Sequence, residues 1–315
     1  MSASKRRATW IPYAGLLVLF WGVWGAFSSL PTSRYGYPDP MVYVIWSITM
    51  LIPAYFSLRG QKIDRRPIAA AYGLLIGLTG AGGQLVLFKA LTIGPAYIIF
   101  PIVALSPAIT VLMAFAALRE RLTALSWIGV GLALVAIVLF SVSSGDSQET
   151  SGTYLWLAIL VCIAWGVQAY FMRKAAVVGV NDATTFGWMT VSGLLLIPVA
   201  LIMMGGLPLS FPWQAPALTA ITQLLNAVGA LFLVMAMSRG KATIVAPVTN
   251  ALAPVLTIVL SLIVFRTLPT GFQVAGIVLA LVGSSLMVYS TEKSGDEPAA
   301  QLPEAAPADR REAAS

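Results

Sequence analysis

Ala90-Leu-Thr-Ile-Gly-Pro-Ala-Tyr-Ile-Ile-Phe-Pro101, continuing through Pro107 and Thr110 to Arg119-Glu120-Arg121, occurs twice in this chain. The second copy is Ala236-Met-Ser-Arg-Gly-Lys-Ala-Thr-Ile-Val-Ala-Pro247, continuing through Pro254 and Thr257 to Arg266-Thr267. Gly94, Ala96 and Pro101 recur 146 residues later as Gly240, Ala242 and Pro247. Pro107, Thr110, Thr123 and Gly129 recur at a spacing of 147 as Pro254, Thr257, Thr270 and Gly276, so one residue is inserted between the prolines of the second copy. Apolar segments resemble one another by chance, but prolines and glycines held in register do not. The chain therefore reads as two related halves.

The repeat extends outward to the N-terminus. Trp21-Gly22-Val23 and Phe27 return as Trp165-Gly166-Val167 and Phe171, 144 residues on. The basic cluster Lys5-Arg6-Arg7 followed by an apolar stretch has the form of a signal peptide. A segment with a twin in the sixth span is instead expected to stay.

Hydrophobic residues make up 58% of the 315 residues and charged residues 10%. A soluble domain has roughly 45–50% and about 25%. The composition is that of an integral membrane protein. Cys162 is the single cysteine and histidine is absent, which excludes an intrachain disulfide, a cysteine or histidine metal site and imidazole catalysis. No cofactor is expected. The net charge of +7 does not point to nucleic acid, because the basic residues sit at the ends of apolar segments, where membrane orientation accounts for them.

At about 20 residues per crossing of a hydrocarbon layer roughly 30 Å thick, the chain gives ten spans. They cover about 10–30, 40–58, 67–90, 95–118, 124–142, 153–173, 183–204, 214–237, 243–265 and 270–290. With the N-terminus in the cytoplasm, 16 of the 19 Lys and Arg residues fall on that side, and Arg34, Lys89 and Arg266 toward the outside. Both termini are thus predicted to be cytoplasmic. Five spans per half is an odd number, so the second half enters from the opposite face and the halves form an inverted repeat. The expected organisation is an N-terminal segment (1–9), a first five-helix repeat (10–142), an outer linker (143–152), a second repeat (153–290) and a disordered cytoplasmic tail (291–315) rich in Ala, Pro and Glu.

Ten spans in two halves, Trp-Gly early in each, and the Ala-x-x-x-Gly-x-Ala…Pro…Pro…Thr…Glu-Arg-Leu-Thr pattern resemble the drug/metabolite transporter superfamily, specifically its EamA-type members. The resemblance covers residues 10–290. It implies a central cavity lined by the first four helices of each half, with the fifth and tenth helices peripheral and available for homodimer contacts. The first half keeps Glu120, where the second has Thr267.

Several residues are expected to carry transport. Proline removes a backbone hydrogen bond and frees a carbonyl, so Pro101 and Pro107 in the fourth span, and Pro247 and Pro254 in the ninth, are candidate gating positions, with Glu120 a cytoplasmic gate or salt-bridge element. Thr219, Thr222, Gln223 and Asn226 share a face of the eighth span, and polar groups in a bilayer face protein or a water-filled path. Asn250 and Thr257 share a face of the ninth. Trp21 and Trp24 in the first span, and Trp165 and Gln168 in the sixth, suggest facing aromatic walls for the flat part of a metabolite. Gln84 and Lys89 complete the predicted substrate-binding set, Lys89 also being placed to pair with Asp39. Asp39 and Asp182, at the starts of the second and seventh spans, read as helix caps. No Asp, Glu or His lies mid-membrane, so the usual proton relay has no carrier.

The leading reading is a transporter that moves a small polar or amphipathic metabolite of sugar, amino acid or organic acid type across the cytoplasmic membrane by alternating access. A lipid-carrier flippase subunit or non-transporting membrane partner is the alternative. An enzyme is disfavoured, since no nucleophile with a base, metal cluster or phosphate loop is present.

Overall fold

The computed structural model describes residues 10–118, 123–143, 152–204, 210–237, 242–266 and 268–295, which form α-helices and connecting turns with no strand among them. In chain order the helices are α1 (Ile11–Phe27), α2 (Leu30–Tyr35), α3 (Asp39–Thr49), α4 (Leu51–Leu58), α5 (Pro67–Ile93), α6 (Ala96–Val103), α7 (Ser106–Leu118), α8 (Ala124–Ser143), α9 (Thr153–Val177), α10 (Asp182–Leu195), α11 (Ile197–Met203), α12 (Gln214–Met237), α13 (Ala242–Phe265) and α14 (Gly271–Gly295).

Among the described residues, six segments are long and apolar enough to cross a membrane: Ile11–Tyr35, Asp39–Leu58, Pro67–Ile93, Thr153–Met172, Asp182–Met203 and Gln214–Phe232. Shorter apolar helices cover Ala96–Thr110, Ala124–Phe140, Leu252–Phe265 and Gly271–Met287. The outward faces carry Leu134, Trp156, Ile202, Ile221 and Ile263, each at least 61% exposed. Apolar side chains exposed on so many separate helices suit hydrocarbon and not water.

Several predicted spans are divided. The first continues past residue 30 because α2 follows α1 across Ser28 and Ser29, ending at Gly36 in the left-handed region, φ 64°. Gly36 donates its N–H to Thr32 O and Tyr37 donates to Pro31 O, closing the helix through the bonds that a C-terminal glycine permits. Gly179, φ 78°, ends the sixth span in the same way, with Val180 N bonded to Ala175 O. The fourth span divides at Ala104 and Leu105 between α6 and α7. Pro101 lies inside α6 and Pro107 at the start of α7, so neither can donate to the turn before it. The equivalent α13 runs unbroken through Pro247 and Pro254.

Neither Asp39 nor Asp182 caps its helix: Pro38 stands at the cap of α3, with Asp39 in the first turn. Asn181, rather than Asp182, caps α10, its side-chain oxygen accepting from Thr184 N at 2.8 Å. Asp182 occupies the first turn, where an acid favours the helix dipole. At α14, Thr270 and Gln273 exchange the reciprocal bonds of a capping box. Their counterparts by the repeat, Thr123 and Ser126, bond at the start of α8.

α5 packs on α9 and α10, α1 on α12 and α13, and α8 on α14. The principal core cluster contains Trp24, Tyr43, Phe88 and Ile99 together with Ala158, Ala227 and Met287, so one core runs through both halves. The helices corresponding to the fifth and tenth spans meet each other within the chain: a side chain at Gly129 would strike Met287, and one at Gly276 would strike Phe140. Those two contacts interchange at the spacing of 147 found in the sequence.

Candidate functional site

A cavity of about 400 Å³ lies between the halves, within the roughly 300–1,000 Å³ range of small-molecule sites. α1 brings Trp21 and Trp24 to it, and α9 brings Trp165, Gln168 and Ala169. α5 contributes Gly77, Gly80, Ala81 and Gln84. Phe100 and Ser106 come from the divided fourth span, Asn226 and Ala230 from α12, and Pro254 and Thr257 from α13.

Small residues make these approaches possible. A side chain at Gly80 would occupy the place of the Gln168 amide, and one at Gly83 would come within 2.6 Å of Trp165 Nε1. Helix α5 therefore offers a low face on which the Trp165 and Gln168 side chains lie. Gly229 on α12 stands to Trp21 as Gly83 does to Trp165.

The polar contacts repeat in the same manner. Trp165 Nε1 donates to Gly80 O at 3.2 Å, and Trp21 Nε1 donates to Asn226 O at 3.1 Å. Thr110 Oγ1 donates to Gly166 O at 2.9 Å, and Thr257 Oγ1 donates to Gly22 O at 3.2 Å. Each partner in one bond maps to its counterpart in the other at a spacing of 144, 146 or 147 residues. Every one of these bonds joins a residue of the first half to one of the second. Trp24 departs from the pattern: its Nε1 donates to Gln223 Oε1 at 3.2 Å and its ring meets Phe100 edge-on at 5.7 Å.

Of the predicted binding residues, Trp21, Trp24, Gln84, Trp165, Gln168, Asn226 and Thr257 are on the cavity wall. Gln223 is fully buried and reaches the wall only through Trp24. Thr222 bonds back to Thr219 O, within its own helix. Lys89 stands apart, its side chain 49% exposed and its ammonium 3.8 Å from the Asp39 carboxylate. Pro101 is buried in α6 and Pro254 touches the cavity. Glu120, and the side chains of Pro247 and Asn250, lie outside the described residues. Trp46 and Met50 of the second span, and Phe186 and Met189 of α10, complete the wall. Sequence reasoning did not single these out, because apolar residues in apolar helices give no contrast. The nearest signal was Gly77, whose neighbours are Trp188 and Ser192 of α10.

Two sets of contacts join the segments that connect these helices. Between residues 59–66 and 178–184, Asn181 Nδ2 donates to Lys62 O at 2.7 Å, Asp64 N to Thr184 Oγ1 at 2.9 Å and Arg66 Nη2 to Val178 O at 3.1 Å. Arg66 also pairs with the Asp64 carboxylate at 2.6 Å. The hydrogen bonds from Arg66 hold that carboxyl below the usual carboxylate range. At the other pair of loops, Tyr37 meets Phe211 edge-on at 5.2 Å.

The sequence model of the EamA-like transporter family matches residues 8–142 and, separately, 152–289. The chain belongs to that family. It is a multi-pass membrane transporter of the drug/metabolite type. The chain is 28% identical to an uncharacterized protein of Methanocaldococcus jannaschii over 140 residues, which is 44% of this chain and 98% of that one. That relative is therefore about the size of one half. This chain is also 25% identical to protein LicB of Haemophilus influenzae over 181 residues, 50% of this chain and 61% of that protein. A solved structure described only as a crystal structure of a protein superposes with a TM-score of 0.56 at 21% identity, covering 89% of this chain and 96% of the other. At that identity the likeness concerns the fold alone.

Proposed function

We propose that this member of the EamA-like transporter family carries a small polar or amphipathic metabolite across the cytoplasmic membrane by alternating access between two inverted five-helix halves, with both termini in the cytoplasm. The observation that carries this reading is the exchange of equivalent bonds around one cavity: Trp21 to Asn226 O with Trp165 to Gly80 O, and Thr257 to Gly22 O with Thr110 to Gly166 O. A site built from matched contacts of two halves supports two end states of comparable energy, as a carrier requires. The family match to each half separately and a relative spanning about one half support the duplication. The charge distribution supports the orientation.

In this mechanism the aromatic wall receives the apolar part of the solute and Gln84, Gln168 and Asn226 orient its polar part. The polar contacts around Asp64, Arg66 and Asn181 serve as the cytoplasmic latch, and Tyr37 with Phe211 as the outer one. The divided fourth span, opposite an unbroken α13, makes the two gating helices unequal. The testing experiment is solute counterflow in proteoliposomes, screened over sugars, amino acids, organic acids and neutral aromatic amides, with and without a proton gradient. Saturable exchange of one class, lost in Asn226→Ala, supports carriage; no exchange of any class by folded protein refutes it.

A further inference from the structure

Resting on the reading of the cavity as the solute site, we propose that the solute is uncharged at neutral pH, has a flat apolar ring and presents a hydrogen-bond acceptor to Gln84 Nε2. Among the described residues, the wall contains no Asp, Glu, Lys or Arg. Its polar side chains are Ser106, Gln84, Gln168, Asn226 and Thr257, set among indole and phenyl rings. Lys89, the basic residue expected to meet an anion, is occupied with Asp39 away from this wall. A carboxylate entering the cavity would lose its water without gaining a counter-charge, which is strongly unfavourable.

Among the described wall residues, one buried donor without a partner sets the second requirement. The indole N–H groups of Trp21, Trp24 and Trp165 are spent on Asn226 O, Gln223 Oε1 and Gly80 O, and the Thr257 hydroxyl is spent on Gly22 O. Gln84 is 4% exposed, and its Nε2 has no hydrogen-bond partner. A buried donor left unsatisfied is costly, and an acceptor on the solute relieves that cost. Ring faces attract cations, but an ammonium has no acceptor for Gln84. An amide, ketone or ring nitrogen on a flat skeleton meets both conditions, which narrows the solute away from zwitterionic amino acids and organic acids.

The test uses the full chain in lipid nanodiscs and isothermal titration with benzamide, benzoate and benzyltrimethylammonium, which share a ring and differ in charge. Benzamide is expected to bind most tightly. Gln84→Met, which keeps the side-chain volume without the donor, is expected to weaken it roughly three- to tenfold, and Gln84→Asn to retain most of the affinity. Gln84→Glu is expected to turn the preference toward benzyltrimethylammonium. Tighter binding of either ion by the native chain, or silence toward all three probes, overturns the solute class. Unchanged benzamide affinity in Gln84→Met overturns the role of Gln84. Ala81→Phe fills the cavity without altering charge; a probe that binds this variant as tightly as the native chain sits elsewhere and overturns the site itself.

Discussion

The matched contacts around the cavity make a quantitative prediction about Gly83 and Gly229. A Cβ at Gly83 would lie 2.6 Å from Trp165 Nε1 and 2.7 Å from Trp165 Cδ1, closer than carbon approaches such atoms. Gly83→Ala must push the indole from its bond to Gly80 O. Overpacking of this kind costs about 1–3 kcal/mol, and loss of an interhelical hydrogen bond in a membrane protein adds about 0.6 kcal/mol. In a Trp165→Leu background the indole atoms are gone and the nearest atom that stays is Ala164 Cβ at 3.3 Å. Gly83→Ala should then cost little, the residual contact being offset by up to about 1 kcal/mol of helix propensity. The expected coupling is therefore at least about 1–2 kcal/mol, measurable by a double-mutant cycle on unfolding in detergent. Gly229→Ala with Trp21→Leu should give a coupling of similar size, since Gly229 stands against Trp21 in the equivalent place. Additivity in both cycles refutes the packing account, and coupling in only one refutes the equivalence of the two walls.

Three further outcomes follow from the same geometry. Asn226→Ala and Trp165→Ala should reduce counterflow at least about tenfold while inserting into the membrane at normal levels; unchanged flux removes these residues from the solute path. Asp64 has a lowered pKa, so the stabilisation from its ionised form is present above the ordinary carboxylate range and fades only as pH falls through the lowered value. Protease protection of the 59–66 loop in inside-out vesicles should hence stay flat from neutral pH down to about pH 5, whereas Asp64→Asn should lower it slightly and equally across that range, an exposed ion pair contributing little; a midpoint near pH 6 contradicts the assignment. Lys89→Met should leave benzamide affinity within about twofold, because an exposed ion pair contributes little and Lys89 is off the wall; a tenfold loss places Lys89 in the site after all.

Much of this arrangement was legible in the chain because prolines, glycines and polar residues stand out against apolar helices. Trp21 and Trp165 were recognisable as a pair since each precedes a glycine in the repeat, and they meet equivalent carbonyls. The polar stripe on the eighth span was visible, but periodicity places residues on a face without saying how far along it the cavity reaches. Asn226 arrives at the wall, while Thr222 turns to its own helix and Gln223 supports Trp24. Trp46, Met50, Phe186 and Met189 were hidden because residues that face lipid and residues that face a cavity are both apolar in such a chain. The division of the fourth span was hinted at by Pro101 and Pro107. Pro247 and Pro254 gave the same hint in α13, which stays continuous, so proline position alone does not decide where a membrane helix breaks.

Alternating access is tested most directly by cysteine accessibility, which needs no known solute. Cys162 is the chain's single cysteine, so a Cys162→Ser background carrying Ala169→Cys, a small cavity-wall residue, reports from one position. The cytoplasmic latch is locked by a benzophenone amino acid placed at Lys62, which bonds to the 178–184 segment on illumination and consumes no thiol, before labelling with a membrane-impermeant maleimide. Locking should abolish labelling from the cytoplasmic side and preserve or raise labelling from the outer side, with neither change in protein kept in the dark. Labelling from the cytoplasmic side that is unchanged after complete cross-linking would contradict the two-sided carrier.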